Sequence, residues 1–170
     1  MRRLRRQVGN LTPKLTVNGK ELTLEISPGE TLLEALRGLG LKSVKKSCET
    51  GNCGACTVLL DGRPVASCIT LALQADGRSV VTVEGLAGNP RLVALQESFV
   101  EAGAPQCGYC TPGMLLTAFA LLGANAAPTR EEIREAISGN ICRCSGYVKV
   151  VDAISDAAEK IRGLGYGANH

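Results

Sequence analysis

Apolar and polar residues alternate through the first part of the chain. Leu15 and Val17, then Leu22, Leu24 and Ile26, alternate with polar neighbours on either side of Asn18-Gly19. A period of two marks half-buried strands, and Asn-Gly suits the positive-φ positions of a tight hairpin turn. TLLEALRGLG follows and predicts a helix capped by Thr31 and stopped at Gly38 or Gly40. TVLLDGRPVASC predicts two short strands joined through Asp61-Gly62, and Ser79 to Val83 predicts one more. Two hairpins, a crossing helix and a final strand make an α+β unit.

The second half takes on helical spacing. Leu92 to Ala102 predicts one helix. Thr111 is expected to cap a second, with Pro112 in its first position, running to about Leu122. Asn125 to Pro128 reads as a loop. Thr129 is expected to cap Arg130 to Ser138 through a T-x-x-E box with Glu132, and Gly139 ends that helix. Ser145 is expected to cap a last helix from about Tyr147 to Arg162. The half repeats itself weakly as helix, cysteine pair, helix. Cys107/Cys110 and Cys142/Cys144 each lie just before a helix N-terminus, so packed hairpins would aim free N–H groups and positive dipole ends at one site. That arrangement favours an anionic occupant.

Composition narrows the class. The chain has 170 residues, 45% of them hydrophobic, which is enough for a real core. Aromatics are only 3% and Trp is absent, so that core must be built from Leu, Val, Ile and Ala. Net charge is +3, but four arginines (Arg2, Arg3, Arg5, Arg6) sit in the opening MRRLRR. The 19 basic residues less those four leave 15 against 16 acidic ones, so the body carries no nucleic-acid surface. Residues 1–12 read as a solvated basic tail. QVGNLTPK supplies no apolar region, which argues against a secretory or twin-arginine signal. The longest nearly apolar run, MLLTAFALL, is too short to span a bilayer. A soluble, cytoplasmic protein is expected.

Eight cysteines in an unsigned chain point to metal rather than disulfides. The only histidine is His170, the last residue, so thiolates alone must hold it. Cys48, Cys53 and Cys56 have the spacing C-x4-C-x2-C, with a fourth cysteine at Cys68. This is the plant-type [2Fe-2S] pattern, in which two irons each need two thiolates and a loop wraps the cluster. Gly51, Gly54 and Ala55 let the backbone approach and present N–H groups to sulfur. A tetrahedral zinc site is the competing reading, but it is usually built from paired C-x2-C knuckles, which this set lacks. For Cys107, Cys110, Cys142 and Cys144, spacing alone leaves zinc and iron–sulfur both open.

CETGNCGACTV, QCGYCTPGM and NICRCSGY, in this order, resemble the small two-cluster subunit of the molybdenum hydroxylases. That family includes xanthine dehydrogenase, aldehyde oxidoreductase and carbon monoxide dehydrogenase. The resemblance runs from about Leu15 to Ala158. It implies a β-grasp plant-type ferredoxin domain over 13–86 and an all-α four-helix [2Fe-2S]-binding domain over 87–162, with a flexible tail at 163–170. Cys48, Cys53, Cys56 and Cys68 match the ligands of an outer cluster facing a flavin. Cys107, Cys110, Cys142 and Cys144 match those of an inner cluster beside the molybdopterin. Gln106 matches a glutamine whose amide bonds the pterin, and Cys144 offers its sulfur to a pterin N–H. Ser47 stands where many members have Gly, and Ser145 where Thr is frequent.

The implied function is electron transfer inside a molybdenum-containing oxidoreductase, with no substrate site on this chain. Its implied partners are a large molybdopterin-binding subunit and an FAD-binding medium subunit, in a heterotrimer able to dimerise. A free-standing ferredoxin would have no need of Gln106 or of so large a helical half. Arg143, between two ligands, is a further candidate. Lys42, Lys45 and Lys46 read as a solvated face, and RGLGL as a helix stop rather than a phosphate loop.

Overall fold

The computed structural model describes residues 11–165, so most of the 1–12 basic tail and the last five residues of 163–170 lie outside the described residues. Five strands form one mixed sheet. β1 (Lys14–Val17) and β2 (Lys20–Thr23) pair antiparallel with Leu15 opposite Leu22. Asn18 and Gly19 between them take φ of 51° and 78°, the two positive values that match a tight turn to the strand twist. β3 (Thr57–Leu60) and β4 (Arg63–Ala66) form the second hairpin, turned at Asp61-Gly62 with φ of 48° and 77°. β5 (Ser79–Val81) enters between the hairpins, parallel to β1 and antiparallel to β3, giving the order β2-β1-β5-β3-β4.

α1 (Leu32–Gly38) packs on this sheet through Leu32, Leu33 and Leu36, against Leu15, Val17, Val58, Leu60 and Val80. It starts as expected, with Thr31 and Glu34 satisfying each other's backbone N–H groups in a capping box. It stops as expected too, with Gly40 at φ 87° just beyond its end. β3 is buried along its whole length. Its Val58 and Leu60 join the core under α1, while Thr57 and Leu59 alternate to the other face, against which the second half packs.

Four helices make up that second half: α2 (Pro90–Glu101), α3 (Thr111–Ala124), α4 (Arg130–Ala136) and α5 (Val148–Gly163). α2 packs on α5 and α3, and α4 packs on α3 and α5. Leu92, Leu95 and Phe99 of α2 face Val150, Ile154, Ala157 and Ile161 of α5 at helical spacing, with Met114, Leu122 and Ile133 completing the core. Each fully buried Leu, Ile or Phe contributes roughly 1.5–3 kcal/mol. This packing stabilises α4, whose seven residues are too few to hold a helix alone. The α4 capping box of Thr129 and Glu132 forms as predicted.

Three expectations are corrected. α3 begins at Thr111, so Pro112 stands second and Thr111 is not the cap. Met114 N–H already donates to the Cys110 carbonyl at 3.1 Å, which makes Cys110 the cap residue. Ser145 does not cap α5. Tyr147, in the left-handed region at φ 69°, precedes that helix instead. β2 is regular only to Thr23, because Pro13 opposite Leu24 accepts the Leu24 N–H at 3.0 Å but has no N–H to return. Beyond that gap Leu11 and Ile26 exchange both backbone hydrogen bonds as a bridge. No helix among the described residues is long and apolar enough to cross a membrane.

Candidate metal centres

The first cysteine loop runs between α1 and β3, and the β3–β4 hairpin closes it. Cys56 immediately precedes β3 and Cys68 follows β4, so strand pairing brings them together. Ser67 Oγ donates to the Cys56 carbonyl at 2.7 Å, holding the base of the hairpin. Gly51 and Gly54 adopt φ of 80° and 66°, which curls the loop back and turns its amides inward. Thr50 N–H lies 3.5 Å from Cys48 Sγ. That N–H, with the Thr50 hydroxyl and Cys53 adding to it, pulls the Cys48 thiol down to about 6. Burial pushes Cys68 up to about 11, with Cys56 beside it adding to the rise and the Gly51 N–H opposing it.

The second set sits where α3 and α5 begin. Cys107 and Cys144 bring their sulfurs within 3.7 Å, although 37 residues separate them. Cys142 Sγ receives the N–H groups of Cys144 and Ser145, both at 3.4 Å, and the Ser145 hydroxyl at 3.2 Å. Burial acts to raise the Cys142 thiol, but these donors and Cys110 outweigh it and hold it at about 7. Burial also pushes Cys110 up to about 12, and the neighbouring Cys142 sulfur reinforces the rise. Tyr147 serves this site as well as α5. Its hydroxyl accepts the Cys142 N–H at 2.9 Å, which its left-handed backbone makes reachable.

A cavity of about 220 Å³ lies between the two loops, lined by Cys107, Cys110, Cys142 and Arg143 on one side and by Ser47 and Cys53 on the other. All eight cysteines are free thiols. Among the described residues, no three of Cys, His, Asp or Glu gather closely enough to hold one ion. The Cys107 and Cys144 sulfurs lie within 3.7 Å, while among the cysteines Cys53 acts most directly on the Cys48 thiol, Cys56 on Cys68, and Cys142 on Cys110. Two pairs per site, with N–H donors aimed at sulfur, fit a binuclear iron–sulfur group, whose irons each take two thiolates.

Gln106, Cys107 and Cys144 are exposed. Gln106 Nε2 donates to the Cys144 carbonyl at 3.3 Å, a bond in which the amide oxygen takes no part. Arg143 is exposed at the mouth of the cavity. Lys46 pairs with Glu49 at 2.9 Å, Lys45 lies 5.9 Å from the Tyr109 ring centre, and Lys42 donates to the Arg37 carbonyl. Ser47 lines the cavity at a bend of the loop. Asn140, Thr50 and Tyr147 were not singled out from sequence. All three lie inside the quoted motifs, Thr50 in CETGNCGACTV and Asn140 and Tyr147 in NICRCSGY, without their contacts being readable there.

Comparison with known proteins agrees with this geometry. Residues 15–87 match the 2Fe-2S iron-sulfur cluster binding domain family, and residues 82–155 match the [2Fe-2S] binding domain family. The nicotinate dehydrogenase small FeS subunit of Eubacterium barkeri is 49% identical over 154 residues, covering 90% of this chain and 98% of that one. The nicotine 6-hydroxylase small subunit of Paenarthrobacter nicotinovorans is 51% identical over 146 residues, 85% of this chain and 88% of that one. A chain of the quinoline 2-oxidoreductase crystal structure from Pseudomonas putida 86 superposes with a TM-score of 0.84. It is 48% identical and covers 91% of this chain and 97% of its own length.

Proposed function

Because the chain belongs to the small two-[2Fe-2S] iron–sulfur subunits of the molybdenum hydroxylases and is an electron-transfer subunit of an oxidoreductase, we propose that Cys48, Cys53, Cys56 and Cys68 hold its outer cluster and Cys107, Cys110, Cys142 and Cys144 its inner one. Each cluster, when bound, takes up and releases one electron at a time. The chain's own residues would tune that exchange. The N–H groups of Thr50, Cys144 and Ser145 donate to ligand sulfurs, which favours the anionic form of each site. The α3 N-terminus, starting directly after Cys110, adds its positive dipole end.

The observation that carries this reading is the gathering of two separate thiol sets, one by each half of the chain, each with N–H donors on sulfur. The halves correspond to a β-grasp ferredoxin domain over 13–86 and a four-helix domain over 87–162. The sheet order and the two family matches support that division. Gln106 and Cys144 face the molybdenum cofactor of a large partner subunit, a role supported by the exposure of both beside the second thiol set. An FAD-binding medium subunit completes a cytoplasmic heterotrimer and takes the electrons from the outer site.

Iron and sulfide analysis with low-temperature EPR tests the assignment. Two irons and two sulfides per site are expected, as two rhombic signals of different relaxation after partial reduction. Stoichiometric zinc in native protein, with iron enough for one site only, would remove the second. Mass spectrometry of the purified complex should identify the large and medium chains.

A further inference from the structure

The two thiol sets belong to different halves of the chain, yet one buried side chain joins the loops that carry them. Asn140 is 3% exposed. Its Nδ2 donates to the Gly54 carbonyl at 3.0 Å and to Thr57 Oγ1 at 3.2 Å, while its Oδ1 accepts from Thr117 Oγ1 at 2.8 Å. Thr57 Oγ1 donates in turn to the same Gly54 carbonyl at 2.7 Å. Both ends of the amide are therefore engaged, across 86 residues of sequence on one side and 23 on the other. A buried amide with its hydrogen bonds made is rigid, because any shift leaves a polar group unpaired.

The surrounding backbone is packed equally closely. A Cβ on Gly54 would lie 2.3 Å from the Gly139 carbonyl oxygen and 2.6 Å from Asn140 Nδ2. A Cβ on Gly113, in the first turn of α3, would lie 2.4 Å from the Gly54 carbonyl oxygen. Next to Asn140, the Ile141 N–H donates to the Cys53 carbonyl at 2.8 Å. Gly54 stands beside one ligand, Asn140 two residues before another, and Gly113 three residues after a third.

We propose that Asn140 is a positioning residue that fixes the distance and orientation between the two cluster sites, and that electron passage between them depends on it. The inference rests on the two-cluster reading above. The step it governs moves one electron from the reduced inner site to the oxidised outer site, with no bond made or broken. Thr117 acts through Asn140 by holding its Oδ1.

The test uses the full chain purified with its partner subunits. Iron content, the EPR signal of each cluster and the spin–spin splitting with both clusters reduced are measured for four proteins: unmodified, Asn140→Ala, Thr117→Val and Thr117→Ser. Dipolar splitting falls with the cube of the separation, so it reports spacing without reference to turnover. Asn140→Ala and Thr117→Val are expected to keep iron content and both sets of g values, to lose splitting, and to pass electrons more slowly between the sites. Thr117→Ser, which keeps the hydroxyl, is expected to match the unmodified protein. If Asn140→Ala fails to assemble, Thr117→Val decides alone. Two signals with unchanged splitting and transfer rate in the variants overturn this inference and leave the two-cluster reading standing. Absence of two iron signals from the unmodified protein overturns that reading and this inference together.

Discussion

Gln106 has both halves of an amide to use, and the fold uses one. Nε2 gives one N–H to the Cys144 carbonyl, so in the contact proposed above its second N–H and the amide oxygen are the groups left for a partner's cofactor. Replacing Gln106 by Ala should leave a buried polar group of the assembled complex unpaired, at a cost of about 1–3 kcal/mol. Molybdenum content or the rate at which substrate reduces the inner cluster should fall, with both EPR signals intact. Unchanged rates and full molybdenum content would refute the contact. Single side chains were also where sequence reading erred. Thr111 and Ser145 look like helix caps, but each stands next to a cysteine that the site needs. Cys110 itself is the cap residue of α3, and the Ser145 hydroxyl donates to Cys142 sulfur while accepting the N–H of Tyr147, one residue short of α5.

Among the elements, those marked by local chemistry were legible. Thr31 with Glu34 and Thr129 with Glu132 announce α1 and α4, and Asn18-Gly19 and Asp61-Gly62 announce both hairpins. What needed tertiary contact was not. The alternation through Leu24 and Ile26 runs past β2 because Pro13, on the other strand, lacks one ladder donor, although the chains stay bonded as far as Leu11 and Ile26. Val83, expected to extend β5, opens a single 3₁₀ turn to Leu86 that carries Glu84 back toward the first cysteine loop. The Glu84 carboxylate accepts from Ser43 N–H and Oγ and from Thr82 Oγ1, anchoring the segment that leads to Cys48. Partial burial acts to raise this carboxyl, but the Ser43 and Thr82 donors outweigh it and hold it below its ordinary 4.5. A depressed carboxyl contributes stability that is present above the unfolded value and is lost as pH falls through the folded one. Glu84→Gln should therefore cost about 1 kcal/mol near neutral pH, below the usual range for charged hydrogen bonds because the site is partly solvated. It should also flatten the stability profile below pH 4.5. Thermal melts of the two proteins from pH 7 downward measure both effects, and parallel profiles would exclude the anchor.

At the scale of the whole molecule, each half supplies its own thiols, while main-chain bonds, the Asn140 amide and the Tyr109 hydroxyl, which donates to the Lys46 carbonyl, join their loops. Cys53→Ala removes a sulfur but keeps the carbonyl that Ile141 N–H bonds. The outer EPR signal should disappear while the inner one remains, in protein that still binds its partners. Loss of both signals from soluble, assembled protein would contradict this independence. The joint itself was the part of the site least visible in the sequence, since Gly54, Gly113 and Asn140 lie far apart along the chain and meet only after both halves fold. That meeting limits how the chain can be recombined. A hybrid that grafts the first half onto the helical half of another protein can carry every cysteine in register and still fail, if the second parent has a side chain where Gly113 meets the Gly54 carbonyl. The transferable unit is then the matched pair of surfaces, and a graft succeeds only when Gly54, Gly113 and Asn140 travel together.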